Sequence, residues 1–118
     1  MPKDVISFKG SFAVWSYTIG HGRLLIRRVK SSSDPHRIDI LFKDSGWICL
    51  PSSLDDLSIQ EVPVDEPAEL FAKAGRVRTN DRKMFKVTGT DQQGYVLAGA
   101  VTWAEDEGEY NDPSSLIE

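Results

Sequence analysis

Apolar residues in this chain fall into seven short runs, 12–19, 23–29, 37–42, 47–50, 57–62, 84–89 and 95–104, separated by polar and turn-forming residues. Runs of this length, rich in β-branched and aromatic residues, predict strands. The clearest pairing joins 84–89 to 95–104 across Thr90-Asp91-Gln92-Gln93-Gly94, a polar connection ending in glycine that reads as a hairpin. A second candidate hairpin joins 23–29 to 37–42 around Ser31-Ser32-Ser33-Asp34-Pro35. The pattern predicts a mainly β fold: a compact antiparallel barrel or sandwich of about seven strands with at most one short helix.

Alternation within the runs assigns faces. In 12–19 the wholly apolar face is Ala13, Trp15, Tyr17 and Ile19, which is expected to point inward. Gly20-His21-Gly22 then permits a tight reversal into 23–29. Pairing Lys30 with Arg37 sets Arg28 opposite Asp39 and Ile26 opposite Leu41, a register favoured by the facing charges. In 57–62, Leu57 and Ile59 share one face and Val62 takes the other. Both faces of 95–104 are apolar, which predicts a central strand with Trp103 in the core. Gly99 within it marks a bulge, a bend or a close approach. The helix is expected over 65–74, with Asp65 as cap, Pro67 in the first turn, and Gly75 as the stop. Leu70, Phe71 and Ala74 would dock that helix on the sheet.

A length of 118 residues suits a single β domain over 1–118, with the acidic stretch 105–118 as a tail that frays unless Tyr110, Leu116 and Ile117 pack back. No apolar run approaches the ~18–20 residues that span a bilayer, and the first residues lack the pattern of a secretory signal. A cytoplasmic protein without membrane contact is the expectation. Cys49 is the only cysteine; its apolar neighbours Ile48 and Leu50 predict a buried, inert thiol. The net charge of −4 hides an asymmetry, because residues 1–50 hold eight Lys/Arg against four Asp and the remainder carries −8. Opposite halves can attract within the fold, or one face can steer a charged partner. An acidic chain does not predict nucleic-acid binding.

Candidate chemistry is sparse. His21, between glycines at a strand reversal, is the best placed functional side chain, and imidazole titrates near neutral pH. Arg23, like Arg27, Arg28, Arg37, Arg76, Arg78 and Arg82, can meet a phosphate or carboxylate or pair with a nearby acid; it is the one kept with His21 as a candidate binding residue. Trp15, Tyr17 and Trp47 belong to an aromatic set that either fills the core or lines a pocket or partner surface. No Gly-x-Ser-x-Gly elbow, phosphate-cradling loop or paired Cys/His spacing is present, so no catalytic residue, metal ligand or cofactor is assigned. The function expected on this basis is a small binding or interaction module without catalysis, such as a protein-partner adaptor or a bacterial immunity-type inhibitor. The alternatives are a small-ligand carrier with an aromatic-lined pocket, and a small hydrolase- or isomerase-type enzyme using His21. The expected partner is a protein or a small molecule, with a homodimer left open.

Overall fold

The computed structural model describes residues 5–62 and 82–116. In chain order its strands are β1 (Ile6–Ser7), β2 (Ser11–Thr18), β3 (Arg23–Arg28), β4 (Arg37–Lys43) and β5 (Trp47–Cys49). β6 (Ser53–Asp55), β7 (Ser58–Val62), β8 (Lys83–Gly89), β9 (Gln92–Ala98) and β10 (Ala100–Asp106) follow. They form two five-stranded antiparallel sheets, ordered β1-β7-β8-β9-β5 and β10-β4-β3-β2-β6, here called sheets A and B. The sheets pack as a sandwich rather than a closed barrel. Two short edge strands, β1 and β6, and the division of 95–104 at Gly99 account for the excess over seven. The helix expected over 65–74 lies outside the described residues.

The alternation of each strand explains the core. Phe12, Leu24, Ile26, Ile38, Ile40 and Phe42 from sheet B meet Ile59, Phe85, Val87, Val96 and Ala98 from sheet A, all buried. Removing that much aliphatic and aromatic surface from water is the main favourable term for a domain of this size. The expected faces hold for β7, where Ile59 is in the core and Val62 packs on the outer side beside Met84. The 84–89 hairpin is also present, with a tighter turn: Gly89 pairs with Gln92, and Asp91 takes a left-handed φ of 59°.

Four expectations are corrected. The β3–β4 register is one residue away from the expected one, with Arg27 opposite Asp39, Arg28 opposite Ile38, and Ile26 opposite Ile40. This register puts two isoleucines in the core and leaves Arg28 to bond Asp34 and the His36 carbonyl in the connecting loop. In β2, Phe12 and Val14 face the core, Ala13 pairs with the outward Arg27, and a bulge follows between Val14 and Ser16. The inward face expected for Ala13, Trp15, Tyr17 and Ile19 is therefore wrong: Trp15 packs on the outer side against Arg27 and Tyr110, and Tyr17 and Ile19 are exposed.

The run 95–104 is not one central strand. Gly99 donates its N–H to the Lys43 carbonyl at 2.9 Å, and the chain crosses there from sheet A to sheet B. β10 is an edge strand, and Trp103 is 45 % exposed, packed edge-on against Phe8. Cys49 is exposed, not buried. It sits on an edge strand where Ile48 packs on the core and Cys49 takes the opposite side.

Candidate functional site

The outer face of sheet B is built from alternate residues of two central strands: Arg23, Leu25 and Arg27 on β3, and Arg37, Asp39, Leu41 and Lys43 on β4. Most of this face is covered by the residues after β10. Arg27 donates from Nε to Asp39 Oδ1 at 2.7 Å, from Nη2 to Oδ2 at 3.1 Å, and from Nη1 to the Tyr110 carbonyl at 2.7 Å. Arg37 forks onto Asp106 with two bonds of 2.9 Å and donates to the carbonyls of Glu109, Asp112 and Pro113. Gly108 allows this approach, because a Cβ there would lie 2.7 Å from the Arg37 guanidinium carbon. Hydrogen bonds from Arg37 hold the Asp106 carboxyl below its ordinary value, and those same bonds raise Arg37. The basic first half and the acidic tail thus meet in specific pairs, Lys30 with Glu109 at 3.0 Å included.

The opposite end of the same face is open. The β3–β4 ladder ends at the Leu24–Phe42 pair, and Arg23 and Lys43 are the residues next to it on the two strands. These two cations line a cleft of about 450 Å³ together with His21, Asp44 and Leu116. Ile19–His21 forms a single 3-10 turn, closed by the Gly22 N–H on the Ile19 carbonyl at 3.2 Å. Asp44 N–H donates to the His21 carbonyl and Ser45 N–H to the Gly22 carbonyl, at 3.1 and 2.9 Å. Gly22 is required here, since its φ is +57° and a Cβ would stand 2.7 Å from the Ser45 nitrogen. Arg82 binds Asp44, with Nη2 on Oδ1 at 2.9 Å and Nε on the carbonyl at 3.1 Å. The side chains of His21, Arg23 and Lys43 have no hydrogen bond or ion pair among the described residues.

The five residues singled out from the sequence are divided among separate places. His21 and Arg23 share the cleft. Tyr17 is outside the cleft lining and pairs with core-facing Leu24, its hydroxyl donating to the Ser45 carbonyl at 3.4 Å. Trp15 lies farther along the outer face, stacked over the Arg27 guanidinium at 5.2 Å and edge-on to Tyr110. There it lines a groove of about 370 Å³ with Leu25, Arg27 and residues 111–114. Trp47 is on the other sheet, packed against Met84 and Leu97 on the outer side of sheet A. The three tryptophans therefore do not converge on one interior pocket.

Lys43, Asp44 and Leu116 join His21 only through folding and carried no sequence signal of their own; the basic half-chain was the nearest pointer to Lys43. Cys49 is on β5 of sheet A and His21 on a reversal of sheet B, so they do not form a nucleophile–base pair. Among the described residues no group of three or more His, Cys, Asp or Glu is arranged to hold a metal ion, and no helix is long and apolar enough to cross a membrane. No protein-family model, curated protein or solved structure matches the chain.

Proposed function

We propose that the protein is a small binding module without catalytic activity, docking a protein partner at the β2–β3 end of sheet B as an adaptor or immunity-type inhibitor does. The observation that carries this reading is Ile19, 85 % exposed at the start of a backbone-locked turn, two residues along the chain from Tyr17 at 46 %. Large apolar side chains held rigidly in water lose little freedom on binding, and such anchors dominate interface energies. Arg23 and Lys43 line the cleft beside the turn that carries this anchor, so the complementary surface is apolar at its centre and acidic at one side. A cytoplasmic setting accords with a single exposed cysteine, which stays reduced there.

The test compares wild type with Ile19→Asp as baits in extract of the producing cells. A protein held by the first is then purified and its affinity measured calorimetrically for both. The expected result is a loss of at least about tenfold for Ile19→Asp, since one buried anchor contributes ~2 kcal/mol or more. Equal affinity, with both baits folded alike, would contradict the reading. A carrier function draws its support from the Trp15 groove, whose volume falls in the range of small-ligand sites. Displacement of an environment-sensitive dye by apolar ligands, lost in Trp15→Ala, would favour the carrier instead.

A further inference from the structure

We infer that the cleft between the Ile19–His21 turn, β3 and the end of β4 is an oxyanion site, taking a carboxylate or a phosphate group. The inference deepens the docking reading, for it names the chemistry a partner or ligand presents beside the Ile19 anchor.

The starting observation is two like charges at the end of the β3–β4 ladder. Arg23 and Lys43 are the residues next to its last pair, Leu24–Phe42, and they line the same cleft, where like charges repel. Four residues along the same two strands, Arg27 faces Asp39 and the charges cancel. A carboxylate near Arg23 and Lys43 would have removed the repulsion. Among the described residues the acid lining the cleft is Asp44, which has Oδ1 on Arg82, while its Oδ2 lies 3.4 Å from where a Gly99 Cβ would stand. Its charge is therefore engaged on the far side from β3. Two cations and an imidazole remain around a concave space of about 450 Å³, large enough for an anionic group and a short apolar stem against Leu116.

Geometry supports the same conclusion. The two cations and the imidazole come from two segments, residues 21–23 and the end of β4, and the two backbone bonds from Asp44 and Ser45 to His21 and Gly22 fix one against the other. The site is thus largely pre-organised, which lowers the entropy cost of binding. Arg supplies a planar fork matching two oxygens, Lys a mobile point charge, and His a single N–H donor. Together they fit a tetrahedral or planar oxyanion better than a neutral polar group, which would leave the repulsion in place.

The test is a two-dimensional amide NMR titration at fixed ionic strength, with chloride exchanged for inorganic phosphate in one arm and for N-acetylglutamate in the other. Saturable shifts confined to Gly22, Arg23, Asp44 and Ser45, with a dissociation constant of about 1–10 mM, are expected in at least one arm. Saturation by phosphate alone identifies a phosphate-bearing ligand; saturation by N-acetylglutamate alone identifies a carboxylate. The double variant Arg23→Ala/Lys43→Ala should keep the wild-type spectrum elsewhere and bind at least tenfold more weakly. Shifts that stay linear or spread over the surface in both arms, or a double variant that titrates like wild type, would overturn the inference. Ile19→Asp should bind the free anion normally, so failure of the docking reading and failure of the oxyanion site give different results.

Discussion

Arg27 and Arg23 stand on the same face of the same strand, four residues apart, in opposite circumstances. Arg27 is almost wholly buried, bonded to Asp39 and to the tail, and stacked on Trp15. Arg23 projects into an open cleft beside another cation, with no side-chain partner among the described residues. The difference follows from where the chain goes after β10. Residues 107–116 cross the face above Asp39 and Arg37 and reach the cleft only with Leu116, so one end is closed and neutralised and the other is left charged. A charge satisfied inside the fold is structure. A charge left facing its like is a place for something else.

The largest effect expected from this contrast is at the closed end. Arg27→Ala would strand the Asp39 carboxylate, whose side chain is 1 % exposed, and removing one partner of a buried pair costs about 3–5 kcal/mol in urea unfolding. Replacing both partners by apolar residues should recover part of that loss. Arg37→Ala comes next, at about 2–3 kcal/mol, because it removes a forked ion pair and three carbonyl bonds that the tail then makes to water. Amides of residues 108–116 should exchange faster in that variant, while those of β8 and β9 keep their protection.

A smaller effect is expected in acid. The Asp106 pKa is lowered in the folded state by Arg37 and by the Gly108 N–H, so its contribution is present above the ordinary value of 3.8. It should fade as the pH falls below about 4, through the folded value. Asp106→Asn should flatten that part of the stability–pH curve and leave the curve above pH 5 parallel to wild type.

How much of this contrast was legible in the sequence differs between its two ends. Pairing of 23–29 with 37–42, with an Arg on one run facing Asp39, was readable from turn chemistry and charge. Two adjacent arginines met the charge criterion equally, however, and only packing chose Arg27, since that register buries Ile26 against Ile40. The period of two holds from Phe12 to Trp15, but the more apolar face is the outer one, because Trp15 is covered there by Arg27 and Tyr110 from the tail, which alternation within one strand cannot reveal. Trp103 lies at an edge because a bend at Gly99 turns one apolar stretch into two strands in different sheets. The apolar neighbours of Cys49 along the chain lie, as in any strand, on the other face, and leave Cys49 itself exposed. At the open end, His21 and Arg23 were visible from the Gly-His-Gly reversal. Lys43, Asp44 and Leu116 were not, because long-range register brings them there.

The central claim is that Arg27 holds the fold and Arg23 does not. Urea unfolding of Arg27→Ala and Arg23→Ala, in parallel with wild type and at equal ionic strength, tests it most directly. Arg27→Ala should lose about 3–5 kcal/mol. Arg23→Ala should stay within about 0.5 kcal/mol of wild type, or gain slightly from relief of the repulsion with Lys43. An Arg23→Ala variant destabilised as strongly as Arg27→Ala would contradict the account, for Arg23 would then be part of the structure and the cleft would lose its claim to be a site.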